Sequence, residues 1–184
     1  GFQSAVEIPK VCAWLETQAL EFPVAVLSAF RIMATEQPQK TALTAAMIAH
    51  LVLKPGAHST ESGKASLGMR VMEHLIHMFG QDVDAHYWRN ARLVLHVFVA
   101  LAPLGVVSSA SLRRTIKAFV DVLSSDGVSR DVADPAADCV IEAMCRGGTD
   151  LIQPEPGALE ALPSAREEMD AIVDGITLYG SQRS

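Results

Sequence analysis

Apolar residues in this 184-residue chain recur at the spacing of a helix face. Leu112, Ile116, Phe119, Val120 and Leu123 follow an i, i+4, i+7 rhythm, as do Val94, Val97, Phe98 and Leu101. Met69, Met72, Leu75, Ile76 and Phe79 make a third such stripe. No segment sustains period-two alternation bounded by hairpin turns, so the pattern predicts an all-α chain. Phe98 and Phe119 are the expected core anchors.

Breakers and caps divide the stripes into about eight helices. The first is expected from about Lys10 to Leu20, with Pro9 near its first turn and Trp14 and Leu15 turned inward. Pro23 opens the second, on Val26, Leu27, Phe30 and Met33, and Gln37-Pro38 closes it. The third carries Leu43, Met47, Ile48 and Leu51 and ends before Pro55. Lys54 to Lys64 is poor in apolar residues and reads as an exposed loop. The fourth helix spans about Ala65 to Phe79, with Gly80 suited to a left-handed C′ position. The fifth starts near Asp84 as N-cap and runs to Ala102, closed by Pro103 and Gly105. Ser108 or Ser111 caps a sixth ending near Leu123, and Asp126-Gly127 marks a turn. Asp134 as N-cap with Pro135 at N1 starts a seventh, which stops at Gly147-Gly148. After a linker from Gln153 to Pro163, Ser164-x-x-Glu167 reads as a capping box opening the last helix, on Met169, Ile172, Val173 and Ile176.

Eight short helices pair naturally into about four stacked antiparallel hairpins. Self-similarity between the pairs is weak. The expected architecture is therefore a single HEAT-like right-handed solenoid over residues 1–184, built from degenerate repeats. Such stacks usually present surfaces to other macromolecules rather than pockets for chemistry.

Composition sharpens this. Hydrophobic residues make up 49% of the chain and aromatics only 5%, which suits aliphatic helix packing. The longest apolar stretch, Leu93 to Val107, is interrupted by His96, Pro103 and Gly105 and falls short of the ~20 residues of a membrane span. A net charge of −6 argues against a domain that grips a phosphate backbone by itself. Cys12, Cys139 and Cys145 are odd in number and form no Cys-x-x-Cys, so all three are expected to be reduced, buried thiols. The N-terminus lacks the pattern of a secretory signal. The chain starts at Gly1 and is expected to be a fragment of a longer protein.

Candidate chemistry is sparse. His74 and His77 are i, i+3 neighbours that could share a metal, but Glu73 points roughly 100° away, and there is neither a His-Asp pair nor His-Glu-x-x-His. Gly63-Lys64 departs from a phosphate loop at His58 and Ala65. No Gly-x-Ser-x-Gly elbow supports a serine nucleophile. No catalytic, metal or cofactor set is therefore expected. Two surfaces stand out for partners instead. His86 to Arg92 joins two aromatics to two arginines, the chemistry of interface hot spots. Asp121, Asp126, Asp131, Asp134 and Asp138 gather near one helix-to-helix turn and could dock a basic peptide. The candidate partner-binding residues are Tyr87, Trp88, Arg89, Arg92, Asp126 and Asp131.

Several stretches carry a family resemblance: VLSAFRIMATEQPQKTALTAAMIAHL (Val26 to Leu51), VMEHLIHMF (Val71 to Phe79), YWRNARLVLHVFVALAPLGVVSSASLRRTIKAFVDVL (Tyr87 to Leu123) and EMDAIVDGITLYGSQR (Glu168 to Arg183). In order and character they resemble the first helical domain of the large subunit of the nuclear cap-binding complex. That domain is similar to the middle domain of the translation-initiation scaffold factor 4G. The resemblance covers most of the chain from Phe22 onward. Lys54 to Lys64 and Gln153 to Pro163 diverge from it, and the basic nuclear-import segment expected ahead of the domain is not in this sequence.

The resemblance implies a nuclear, non-enzymatic scaffold that shuttles to the cytoplasm and acts in mRNA splicing, transport and nonsense-mediated decay. Its partners would be a small cap-binding subunit, engaged mainly through domains outside this segment, together with RNA-processing and export proteins. Capped RNA would be held indirectly, and no membrane is implied. No cap-contacting residue carries over. The alternatives are a middle-domain scaffold of translation initiation or mRNA decay that binds a helicase or decay factor, and an all-α enzyme with a His74/His77 metal centre.

Overall fold

The structure, a computed structural model, describes residues 7–54, 65–123, 127–152 and 162–182. Eight α-helices and no strand occur among them: α1 (Ile8–Glu21), α2 (Pro23–Glu36), α3 (Thr41–Leu53), α4 (Leu67–Asp84), α5 (Trp88–Leu101), α6 (Ser109–Leu123), α7 (Arg130–Gly147) and α8 (Leu162–Ser181). Short 3-10 turns cover Pro38–Lys40 and Gly148–Leu151. The loop expected from Lys54 to Lys64 lies outside the described residues beyond Lys54, and so does the linker from Gln153 to residue 161.

Two helices sit at the centre because α3, and α5 from Leu93 onward, are apolar on nearly every side. α3 buries Ala45, Met47, Ile48, Ala49, Leu51 and Val52. α5 buries an unbroken run from Leu93 to Val99 and then Leu101. α3 packs on α1, α2, α4 and α5, and α5 packs in turn on α2, α3, α4 and α7. One row of neighbours thus runs α1, α3, α5, α7. In addition, α2 meets α4 and α6 meets α8. Consecutive pairing is plain for α1 with α2 and α3 with α4, whereas α6 packs chiefly on α7 and α8. Phe79 of α4 sets its ring edge-on to Phe98 of α5, at 5.7 Å, and to Phe119 of α6, at 6.0 Å.

Several boundaries differ from the sequence expectation. α1 buries Cys12, Leu15 and Ala19, and Trp14, one residue and about 100° off that seam, is 59% exposed. α4 runs through Gly80 to Asp84, because Met78, Asp82 and partly buried Val83 extend its inward stripe. His86, at φ 58°, takes the left-handed position expected of Gly80. α5 therefore starts at Trp88, and Asp84 ends α4 rather than capping α5. α7 begins at Arg130, not at Pro135, which sits inside the helix. There Asp134 accepts a hydrogen bond from the Tyr179 hydroxyl at 2.7 Å instead of capping. Ser164 and Glu167 likewise lie within α8. Ser108 does cap α6, its Oγ accepting from the Ser111 amide at 3.0 Å. Cys12 and Cys139 are buried, but Cys145 is exposed, against expectation.

An unanticipated buried charge joins the C-terminal elements. Arg113 of α6 is 1% exposed. Its Nε donates to Glu168 Oε2 of α8 at 2.6 Å, and its Nη1 donates to the Leu151 carbonyl at 2.8 Å. A guanidinium satisfied in this way can stay charged inside the protein.

Gly68 marks a close approach of two helix backbones. A Cβ there would lie 2.6 Å from the Leu51 carbonyl carbon and 2.7 Å from the Val52 nitrogen, both backbone atoms of α3. Gly80, by contrast, has open space around it. Urea denaturation is expected to show Gly68→Ala destabilised by about 1–3 kcal/mol, the cost of overpacking. Gly80→Ala should instead gain about 0.5–1 kcal/mol from the lost backbone freedom of the unfolded chain. Equal effects at the two positions would contradict this packing.

Candidate functional site

The start of α5 is built by the turn that precedes it. The Ala85 amide donates to the Gln81 carbonyl, that of His86 to Val83, and that of Tyr87 to Asp82. The chain reverses at His86, and α5 opens with no side-chain cap. Its first amide groups are a region of positive potential.

The sequence grouped Tyr87, Trp88, Arg89 and Arg92 as one surface, and the structure divides them. Tyr87 is 64% exposed and Arg89 is also exposed. Trp88 is partly buried and packs on the core, stacked on His86 at 5.6 Å and edge-on to Phe119 at 6.1 Å. Its role is to anchor α5 against α6. Arg92 turns to α7, where Nη1 donates to Glu142 Oε1 at 2.8 Å. Asp131 is exposed in the first turn of α7. It precedes Glu142 by eleven residues, about 16 Å along the helix axis at 1.5 Å per residue, so it does not join the α5 patch. Asp126 lies outside the described residues. Of the other acids, Asp121 pairs with Lys117 at 2.9 Å and Asp134 is engaged by Tyr179.

Two clefts flank the first turn of α5. An apolar groove of about 450 Å³ lies between α4 and α6, lined by Phe79, Val83, Trp88, Phe119 and Val122, with Asp84 and Arg114 also at its walls. A polar cleft of about 650 Å³ lies against α2, lined by Ser28, Arg31, Thr35, Glu36, Arg89 and Asn90. Arg31 and Asn90 were not singled out from sequence. The available signal was Ser28, Arg31 and Thr35, spaced three and four apart as a polar stripe on an otherwise apolar helix.

Behind these surfaces lie titratable groups, Asp82 and His96 buried and His74 partly buried. Asp82 is only 5% exposed, and burial raises its carboxyl above the ordinary 3.8, opposed by Arg31 and by a hydrogen bond from Asn90. His74 is held below 6.5 by burial, then by Arg31 and His77. His96, buried in α5, is also held below 6.5, by burial and then by Arg146, with Glu142 opposing and Arg92 adding repulsion. Its Nε2 lies 3.0 Å from Glu142 Oε2 but off the direction of a good hydrogen bond. Burial pushes the Cys12 and Cys139 thiols up to about 11, so neither is a thiolate at neutral pH. Among the described residues no three His, Cys, Asp or Glu side chains group to hold a metal, and no helix is long and apolar enough to cross a membrane. The chain matches no protein-family model and, at significance, no curated protein.

Because the folded state keeps His96 and His74 neutral, the unfolded chain takes up protons first. Their contribution to stability is complete above pH 6.5 and is lost as pH falls from there toward the lower folded-state values. Asp82 acts in the opposite sense, nearer the carboxylate range. The urea midpoint is expected to drop between pH 6.5 and about pH 5.5, and His96→Gln should flatten that slope. A midpoint constant over this interval would contradict the burial of neutral imidazoles.

Proposed function

We propose that this chain is a non-enzymatic scaffold: a HEAT-like right-handed solenoid forming the first helical domain of a nuclear cap-binding large subunit. The observation that carries the reading is the row α1, α3, α5, α7, each helix packed on the next, with α2 on α4 and α6 on α8 alongside. Stacks of this kind expose long ridges on which other proteins can dock. Exposed apolar residues on the first and last helices, Val11 and Trp14 on α1 and Val173 and Leu178 on α8, fit a domain that works next to others.

In this reading the segment is one part of a longer nuclear polypeptide. It supports capped-RNA binding by a small partner subunit and receives RNA-processing and export factors. The acidic balance of the chain, −6, favours protein partners over direct RNA contact. The start of α5, with Tyr87 and Arg89 exposed between two clefts, is the surface best suited to a partner.

The native polypeptide that carries this segment is expected to copurify from nuclear extract with an RNA-recognition-motif subunit on methylguanosine-cap resin, and to elute with free cap analogue. Recovery without the cap, together with direct binding of a DEAD-box helicase by the segment, would overturn this in favour of a translation-initiation or decay scaffold.

A further inference from the structure

We propose that the polar cleft between α2 and α5 is a binding site for a single phosphorylated side chain of a protein partner. This goes beyond the scaffold reading and does not depend on it. Arg31 and Arg89 approach the cleft from two different helices, and each is exposed. Neither is engaged in an ion pair among the described residues. The lining carries two guanidinium groups against one carboxylate, Glu36, an excess of positive charge that a bound anion would offset.

The surrounding chemistry points the same way. Asn90 supplies an amide, and Ser28 supplies a hydroxyl on the face of α2 that carries Arg31. The cleft also receives the first turn of α5, a helix of fourteen residues whose start no side chain caps. Amide dipoles there add to the field of the two arginines. Phosphate oxygens accept hydrogen bonds from guanidinium, amide and hydroxyl donors alike. The α2 backbone beneath Arg31 is braced by Thr35, 4% exposed, whose hydroxyl donates to the Arg31 carbonyl at 3.0 Å.

Charge decides the class of ligand. A nucleic-acid backbone needs a row of cations, whereas this cleft has two, with Glu36 beside them and a net charge of −6 on the whole chain. One dianion suits two arginines. A volume of about 650 Å³ also leaves room for the residues flanking a modified side chain, with Ile32 as an apolar wall.

The test is an amide-resonance titration of the whole chain at low salt with a short phosphoserine peptide, its unphosphorylated counterpart, inorganic phosphate and octauridylate. Saturable shifts at Ser28, Arg31, Arg89 and Asn90 are expected with the phosphoserine peptide and not with the unphosphorylated one. Arg31→Gln and Arg89→Gln should each weaken binding about tenfold, the loss of one charge-assisted contact, and both should keep the helical circular-dichroism spectrum. Absence of shifts at these residues would overturn the proposal, and the unmutated chain decides that even if a variant misfolds. Octauridylate binding more tightly at the same residues would overturn it in favour of a nucleic-acid contact. Inorganic phosphate binding as tightly as the peptide would overturn it in favour of a free-anion site.

Discussion

Removal from water of α3 and of α5 from Leu93 onward, both apolar on nearly every side, is the constraint from which the rest of the molecule follows. α5 alone buries Leu93, Val94, Leu95, Val97, Phe98, Val99 and Leu101. At about 1.5–3 kcal/mol each, these seven side chains represent on the order of 10–20 kcal/mol of gross transfer free energy. That is comparable with the whole net stability of a domain, about 5–15 kcal/mol. α5 therefore cannot swing away from its neighbours while the chain stays folded. α3 is in the same position, and α2, α4 and α7 are arranged as the walls these two helices require.

That rigidity gives the start of α5 its use. Trp88 is locked between His86 and Phe119, so the residues on either side of it have fixed places. Tyr87 projects outward, and Arg89 and Asn90 face the cleft shared with α2. A partner meeting this surface finds a fixed backbone and has only the exposed side chains of Tyr87 and Arg89 to order. Farther along, the Arg113–Glu168 pair and the Leu151 carbonyl fasten α8 and the 3-10 turn to α6. The second half of the molecule thus relies more on a satisfied buried charge than the first half does.

Sequence periodicity revealed the helical class and most of the core, because an apolar stripe is a property of one segment alone. Val26, Phe30, Ile48, Leu75, Leu112 and Ile116 are buried as their spacing implied, whereas Leu43, Met69, Ile76 and Val173 of the same stripes are exposed. Boundaries were less legible, since local stop and start signals compete with burial. Gly80 and Asp84 were overruled by the inward pull of Asp82 and Val83, and Pro135 by a helix that starts at Arg130. Trp14 was misplaced because α1 is an edge helix whose narrow seam leaves adjacent residues in solvent. The surface around α5 was only half visible. Arg92 and Trp88 are committed to Glu142 and Phe119, partners remote in the chain, and Arg31 joins Arg89 only through the packing of α2 against α5.

Native-state hydrogen exchange measures the central constraint most directly, because it ranks helices by the free energy at which each one opens. Amides in the middle of α3 and α5 should exchange only through global unfolding and share one opening free energy, while α1 and α8, which lie outside that centre, open at lower cost. Exchange of the α5 amides at lower free energy than those of α1 or α8 would contradict the account.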